Sequence, residues 1–177
     1  MNIEYEVRVL EIDKDKLIKK LNEIGAKFNG EYNQKRYVYN TVPKCDRKWL
    51  RLRTNGKETT LTYKSVEKDT IDGTKELEIK VDDFNKTNEL LEIAGIKAKG
   101  YQENNRIQYI LDDVEIDIDT WPLIPTYVEI EGKNEENVNK ILKKLELENK
   151  KVTALDVQSV YEKIYDIDIS KIKVLKF

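Results

Sequence analysis

The sequence of 177 residues contains no histidine and only one cysteine, Cys45. The absence of imidazole excludes serine–histidine and cysteine–histidine triads, histidine zinc sites and histidine acid–base chemistry. A single cysteine cannot form an intrachain disulfide bond. Any catalysis by this chain must therefore use carboxylates, lysine, tyrosine or a bound metal ion.

Long apolar runs are also missing, and no cleavable apolar leader is present. Together with the single cysteine, this predicts a cytoplasmic protein with no membrane partner. Neither glycine-rich phosphate-binding fingerprint occurs in the chain, which has seven glycines. A phosphate site would therefore have to be built from side chains.

Charge of a single sign is lacking as well, since 32 basic and 34 acidic residues leave a net charge of −2. A nucleic-acid-binding protein normally has a basic balance, so this composition argues against DNA or RNA as the partner. A small anionic ligand remains compatible with it. The length predicts one domain that spans residues 1–177.

Alternating polar and apolar residues predict the first strand. In an extended chain Glu4, Glu6 and Arg8 share one face, and Val7 and Val9 share the other. The same pattern recurs at 76–81, where Glu76, Glu78 and Lys80 alternate with aliphatic residues. The chain thus contains two copies of one amphipathic strand.

Periodicity predicts the remaining elements. Helices are expected over 13–24, over 84–94 with Leu90, Leu91 and Ala94 inward, and over 134–145. Strands are expected at 35–40, 49–53, 60–64, 105–111, 114–119 and 127–131. The Asn55-Gly56 pair predicts a hairpin between two of these strands. Thr153 is the predicted N-cap of a C-terminal helix.

An internal repeat organises these elements. With a shift of about 70 residues, Glu4 corresponds to Glu76, Arg36 to Arg106 and Tyr39 to Tyr109. Each half then reads strand, helix and three strands. We expect an α+β fold in which two βαβββ halves close an eight-stranded antiparallel β-barrel, with the helices packed outside. The resulting tunnel would span about residues 2–132, followed by C-terminal helices at about 134–170.

One face of the predicted strands carries nearly all of the charge. Its acids are Glu4, Glu6, Glu76, Glu78, Glu115, Asp117, Asp119, Glu129 and Glu131. Its cations are Arg8, Arg51, Arg53, Lys64, Lys80 and Arg106. An antiparallel sheet with one solvated face gives the same alternation. Here, however, acids and cations cluster on different strands, whereas a solvated face mixes the signs into cross-strand pairs. A polyanion held by the cations, with Mg²⁺ held by the acids, explains both clusters.

These motifs, in this order, resemble the CYTH or triphosphate tunnel metalloenzyme superfamily over about residues 2–132. Its Glu-x-Glu-x-Lys signature corresponds to Glu4-Tyr5-Glu6-Val7-Arg8, with arginine in place of lysine. Further matching motifs are Leu50-Arg51-Leu52-Arg53, Thr62-Tyr63-Lys64, Glu76-Leu77-Glu78, Arg106, Asp117-Ile118-Asp119 and Tyr127-Val128-Glu129-Ile130-Glu131. The superfamily includes class IV adenylate cyclases, thiamine triphosphatases and inorganic tripolyphosphatases.

The resemblance implies a tunnel that binds a triphosphate and one or two divalent ions, Mg²⁺ or Mn²⁺. The implied metal ligands are Glu4, Glu6, Asp117, Asp119, Glu129 and Glu131. The implied triphosphate ligands are Arg8, Arg51, Arg53, Lys64, Lys80 and Arg106. Family hydrolases often carry an Asp-x-Tyr-Tyr-Asp-like strand in which the first tyrosine assists water activation. In this chain Val38 occupies the position of that tyrosine.

The sequence therefore leaves three functions open. A class IV adenylate cyclase-like conversion of ATP to cyclic AMP and pyrophosphate is favoured, and an inorganic tripolyphosphatase or a thiamine or nucleoside triphosphatase is the alternative. A module that binds nucleotide or polyphosphate without turnover belongs to a different class. Lys64 is the catalytic candidate, because arginine cannot lose its proton and cationic neighbours are expected to lower the pKa of a lysine. A homodimer is left open.

Overall fold

The computed structural model describes residues 1–177. Its helices are α1 (Lys14–Glu23), α2 (Phe84–Ile93), α3 (Glu135–Lys144) and α4 (Val157–Tyr165). Its strands are β1 (Asn2–Val9), β2 (Lys27–Asn40), β3 (Lys48–Thr54), β4 (Thr59–Val66), β5 (Thr74–Val81), β6 (Ala98–Leu111), β7 (Val114–Thr120), β8 (Tyr127–Gly132), β9 (Val152–Thr153) and β10 (Val174–Leu175). A short 3₁₀ turn, Ile169–Lys171, precedes β10.

Strands β1 to β8 form a closed antiparallel barrel. Neighbouring strands follow the order β6-β2-β3-β4-β5-β1-β8-β7, and β7 pairs with β6 to complete the ring. Each half runs strand, helix and three strands, as the repeat predicts. The expected α+β fold with an eight-stranded tunnel is confirmed. The predicted hairpin at Asn55-Gly56 is also confirmed, since Thr54 pairs with Thr59 across it.

Two strands are longer than the sequence predicts. Strands β2 and β6 contain 14 residues each, so the predicted starts at residues 35 and 105 were wrong. The added segments are rich in Asn, Gln and Gly, which have low strand propensity. They are nevertheless extended, because β2 and β6 pair along almost their whole length, with a register shift next to Gly30.

The main core lies between the barrel's outer face and helices α1 and α3. Val9, Leu21, Ile116, Ile130 and Ile141 are fully buried there. Because side chains alternate along a strand, the residues between these aliphatic positions must point into the barrel. The packing of the core outside the ring therefore fixes which side chains face the lumen.

Helix α2 packs less deeply than its counterpart in the first half. The prediction that Leu90 and Ala94 point inward was wrong, since both are exposed and none of the residues of α2 is buried. Leu91 is half-buried, and the ring of Phe84 stacks on Tyr37 with centroids 5.2 Å apart. Helix α1 shares its core with α3, whereas no helix in the fold shares a core with α2 in the same way.

The C-terminal segment covers one end of the barrel. Strand β9 pairs with β1, and β10 pairs in parallel with β6. Thr153 therefore lies in a strand, and the predicted N-cap was wrong; the N-cap of α4 is Asp156, whose side chain accepts a hydrogen bond from the Ser159 backbone N–H. Helix α4 packs through Val160 and Tyr161 on a second core cluster.

None of the helices combines the length and apolar character that a membrane span requires.

Candidate functional site

The barrel lumen is a polar tunnel. Its larger cavity has a volume of about 370 Å³, and almost all of its lining side chains are polar or charged. The predicted site residues that line this cavity are Glu4, Glu6, Arg51, Arg53, Lys64, Arg106, Glu129 and Glu131. A smaller cavity of about 90 Å³ shares Glu6, Arg51 and Lys64 with the larger one and extends towards α4. Arg8 lines this smaller cavity.

Three carboxylates form the acidic part of the site. Each of Glu4, Glu6 and Glu131 offers an oxygen, and these oxygens lie within 4.8 Å of one another. Burial together with Glu6 and Glu4 raises the pKa of Glu131 to about 8. Burial also raises the pKa values of Glu4 and Glu6, although Lys64 and Arg8 oppose it. An all-oxygen donor set with unbalanced negative charge suits a hard divalent cation such as Mg²⁺ or Mn²⁺.

Glu129 has a different environment, although it is in the predicted metal set. Its carboxylate lies 2.5 Å from the Arg8 guanidinium and 3.1 Å from that of Arg106. Burial alone would raise the pKa of Glu129, but Arg8 and Arg106 outweigh burial and lower it. Glu129 is thus ionised and already paired in the metal-free protein.

Asp117 and Asp119 are brought together by Arg106. Its Nε and Nη2 donate to the two oxygens of Asp119, at 2.8 Å and 2.5 Å, and its Nη1 donates to Asp117. Burial nevertheless raises the pKa of Asp117 to about 7. Neither aspartate belongs to the group formed by Glu4, Glu6 and Glu131. Their role as metal ligands stays a prediction.

Cations on β3 and β4 face these acids. Arg51 and Arg53 approach Glu78 at 3.5 Å and 3.9 Å, and the Thr62 hydroxyl donates to Glu78 at 2.6 Å. Burial, Arg51 and Arg106 lower the pKa of Arg53 to about 10. Both guanidiniums are thus held in place next to an acid that neutralises only part of their charge.

Lys64 joins the two sides of the lumen. Its Nζ donates to both oxygens of Glu4, at 2.8 Å and 2.9 Å, and lies 3.4 Å from Glu76. Burial and Arg51 favour the neutral amine, but Glu6, Glu4 and Glu76 outweigh them and raise the pKa of Lys64. The expectation that neighbouring cations lower this pKa was wrong for the metal-free protein, because the combined effect of the three carboxylates exceeds that of burial and Arg51.

Lys80 lies at the mouth of the tunnel and does not line either cavity, although its partner Glu58 lines the larger one. Its side chain is 74% exposed and its Nζ pairs with Glu58 at 2.6 Å. The repeat aligns Lys80 with Arg8, which is buried, but the two halves place these positions at different depths. Triphosphate binding by Lys80 stays a prediction.

The structure also brings into the lumen residues that were absent from the predicted site. Glu76 and Glu78 line the larger cavity, and Gln34 and Arg36 face inward from β2. The repeat gave a signal for Arg36, because it corresponds to Arg106. The alternation of β2 gave no signal for Gln34, since that strand was predicted to begin at residue 35.

The stability of the metal-free protein should fall as the pH rises from about 5 to about 8. In this window folded Glu131 and Asp117 retain protons that they lose on unfolding, where carboxyl pKa values are near 4. The folded state then binds more protons, so the free energy of unfolding decreases with pH, by up to about 1.4 kcal/mol per pH unit for each group. Above about pH 8 the trend should level off. Glu129 titrates below this window.

Urea unfolding in EDTA at pH 5, 6, 7 and 8 would measure this trend. The control is Glu131→Gln, which removes one of the carboxyl groups with a raised pKa and should reduce the slope. A free energy of unfolding that is constant or rises over this window would contradict the assignment of both pKa shifts.

Comparison with known proteins supplies independent information on this tunnel. The CYTH domain model matches residues 2–160, which include the whole barrel. A curated protein of Methanocaldococcus jannaschii, named as a candidate adenylate cyclase, is 29% identical over 148 residues. That alignment covers 81% of this chain and 84% of the relative.

Solved structures share the fold. A protein of Pyrococcus horikoshii superposes with a TM-score of 0.75 at 24% identity, over 87% of this chain and 96% of that one. A Hippeastrum protein, described as a candidate adenylyl cyclase with a dominant triphosphatase activity, gives a TM-score of 0.64 at 17% identity. It matches 92% of this chain and 96% of its own length.

Proposed function

This chain belongs to the CYTH domain family, and we propose that it binds a triphosphate together with a divalent metal ion in its tunnel and cleaves it. The reaction favoured is the conversion of ATP to cyclic AMP and pyrophosphate. Family membership supports triphosphate processing in general. The choice of ATP rests on the candidate adenylate cyclase of Methanocaldococcus jannaschii. The choice of cyclisation over hydrolysis rests on Val38.

One observation carries the proposal. Within a single lumen, the carboxylates of Glu4, Glu6 and Glu131 face the cations of β3, β4 and β6. Carboxylates bind divalent metal ions, while guanidinium groups bind phosphate oxygens. A metal–triphosphate complex has both kinds of partner in one molecule, so it complements the whole lumen.

We assign the following roles to the residues of the lumen. Arg51 and Arg53 hold and orient phosphate oxygens, and their fixed charges stabilise the negative charge that develops on the transferred group. Glu4, Glu6 and Glu131 would hold the metal ion, which supplies Lewis-acid stabilisation of the phosphate oxygens when bound. Lys64 is proposed to accept the proton of the attacking hydroxyl. The other predicted ligands remain proposed ligands of lower rank, because their charges are already paired or exposed; they are Arg8, Lys80, Arg106, Asp117, Asp119 and Glu129.

In the cyclase reaction, the ribose 3′-oxygen bonds to the α-phosphorus while the bond from that phosphorus to the bridging oxygen breaks and pyrophosphate leaves. In the alternative, triphosphate hydrolysis, the oxygen of water bonds to the terminal phosphorus while the bond from that phosphorus to its bridging oxygen breaks, and inorganic phosphate and the diphosphate are the products. The Hippeastrum protein's described triphosphatase activity favours this second candidate. Against it, Val38 brings an apolar side chain to the place where family hydrolases have a tyrosine hydroxyl.

Turnover assays on the purified protein test the proposal. ATP, GTP, thiamine triphosphate and tripolyphosphate are each supplied with Mg²⁺ or Mn²⁺, and phosphate, pyrophosphate and cyclic nucleotide are measured. We expect cyclic AMP and pyrophosphate in equal amounts from ATP, and no product in EDTA. Arg47→Gln is a matched control because Arg47 is exposed and pairs with Asp69 outside the tunnel.

Other outcomes would assign a different function. Phosphate release without cyclic nucleotide would make the protein a triphosphatase. Binding of all four compounds without any product would favour a module that holds nucleotide or polyphosphate without turnover. The cytoplasmic location, the absence of a nucleic-acid partner and a homodimeric state stay predictions.

A further inference from the structure

Arg36 is a buried cation in the tunnel wall. It lies on the inner face of β2, is 6% exposed, and lines the smaller cavity together with Arg8 and Lys64. The N-cap of α4, Asp156, and the first residues of the helix border the same cavity. Arg36 therefore marks the part of the tunnel between the proposed catalytic residues and the end covered by the C-terminal segment.

Arg36 differs from the other lumen cations in having no acidic partner. Arg8, Arg51, Arg53, Lys64 and Arg106 each have at least one carboxylate oxygen within 4.0 Å. No such contact exists for Arg36. Its Nη2 donates to two neutral acceptors instead, Gln34 Oε1 at 2.8 Å and Asn104 Oδ1. Its Nε is buried without any hydrogen-bond partner, a feature that it shares with Arg8 and Arg51.

The charged groups that act most strongly on Arg36 are also cations. Burial and then Arg51, Arg53 and Arg106 lower the pKa of Arg36. The charge of Asp119 opposes this lowering, but Asp119 makes no direct contact with Arg36: it accepts from the Asn104 amide, and both of its oxygens accept from Arg106. The guanidinium also lies over the Trp121 ring, 4.5 Å from its centroid. A buried charge without a counter-ion is costly to the fold.

We propose that Arg36 and the smaller cavity form a subsite for one phosphoryl group, in which the ligand's oxyanion is the missing partner of Arg36. This inference rests on the proposed function, because it extends the triphosphate from Arg51 and Lys64 towards α4. A guanidinium with an unused Nε–H suits a tetrahedral oxyanion, since it can donate more than one hydrogen bond to it. The phosphoryl group can come from the substrate's end or from released pyrophosphate or phosphate.

Arg36→Gln tests the subsite through two opposite effects. Without ligand, this variant loses an uncompensated buried charge, so its unfolding temperature should equal or exceed that of the wild type. Its affinity for tripolyphosphate should nevertheless fall by about 10- to 100-fold, as expected for loss of a charged hydrogen-bond donor. Calorimetry with tripolyphosphate, pyrophosphate and inorganic phosphate measures the second effect and separates the two sources of the phosphoryl group.

Two further variants make the result decisive. Arg36→Lys keeps a positive charge and should retain more affinity than Arg36→Gln. Arg47→Gln removes an exposed, paired arginine and should leave affinity unchanged. If Arg36→Gln is less stable than the wild type, the subsite still stands when Arg36→Lys recovers tripolyphosphate affinity, and it falls when Arg36→Lys does not.

The inference and the proposed function can fail separately. Tripolyphosphate binding by Arg36→Gln at wild-type affinity would overturn the subsite and leave the proposed function standing. The wild type could bind no triphosphate and still unfold at a higher temperature when phosphate is added. If phosphate has no such effect on Arg36→Gln, the subsite is supported and the proposed function is overturned. A wild type insensitive to every phosphate compound would overturn both.

Discussion

Glu131→Gln is expected to weaken Mg²⁺ binding by at least about 100-fold, because the metal ion loses one of three clustered carboxylate charges. At an effective dielectric constant of about 20, two unit charges about 4 Å apart interact by about 4 kcal/mol, and a divalent ion doubles this. Relief of the repulsion from Glu4 and Glu6 offsets part of that loss. The metal-free fold should keep its stability or gain some, since Glu131 has no cationic partner to leave behind.

Glu129→Gln is the matched comparison on the same strand. Glu129 neutralises Arg8 and Arg106, so the amide would leave two buried guanidiniums short of negative charge. Removal of one partner from a buried ion pair typically costs about 3–5 kcal/mol. We therefore expect Glu129→Gln to lower the free energy of unfolding while Glu131→Gln lowers metal affinity.

Calorimetric titration of Mg²⁺, with and without a nonhydrolysable triphosphate, distinguishes the two variants, and urea unfolding in EDTA measures their stability. If Glu131→Gln binds Mg²⁺ as the wild type does, the group formed by Glu4, Glu6 and Glu131 is not the metal site. In that case Asp117 and Asp119, the other predicted carboxylates, become the next pair to replace.

The lumen could be predicted from the sequence because it depends on alternation alone. Glu4, Glu6 and Arg8 alternate with Val7 and Val9, and a two-residue period assigns the two sets to opposite faces whatever the neighbouring strands do. The repeat then gave the number of strands. Depth along the tunnel was not predictable in this way, since it depends on strand stagger. Lys80 therefore lies at the mouth although it has the same parity as its buried counterpart, Arg8.

The ion pairs across the lumen could not be predicted from the sequence either. Alternation identifies Glu129 and Glu131 as equivalent neighbours on one face, yet only Glu129 lies within reach of two guanidiniums. The raised pKa of Lys64 has the same origin. Lys64 lies on β4, Glu76 lies on β5 and Glu4 lies on β1, and β5 pairs with both β4 and β1. Such pairings follow from register, which a single strand does not encode.

Lys64→Arg is expected to reduce turnover by about 10²- to 10⁴-fold with little change in substrate affinity, as for the loss of a general base. Arginine keeps the positive charge that binds phosphate but cannot give up its proton. In the metal-free protein, Glu4 and Glu6 help to raise the pKa of Lys64. A divalent ion held by those carboxylates would neutralise them, and burial and Arg51 would then favour the neutral amine that a base requires.

Steady-state kinetics with saturating Mg²⁺ at pH 6 to 10 would separate the two roles of Lys64. A base predicts that wild-type kcat rises with pH along a limb that is lost in Lys64→Arg, while KM stays within a few-fold. Lys64→Gln removes both charge and base, so its KM should rise as well. Wild-type turnover by Lys64→Arg would show that Lys64 only holds the phosphate, and the proton would then have to leave through solvent or a metal-bound group.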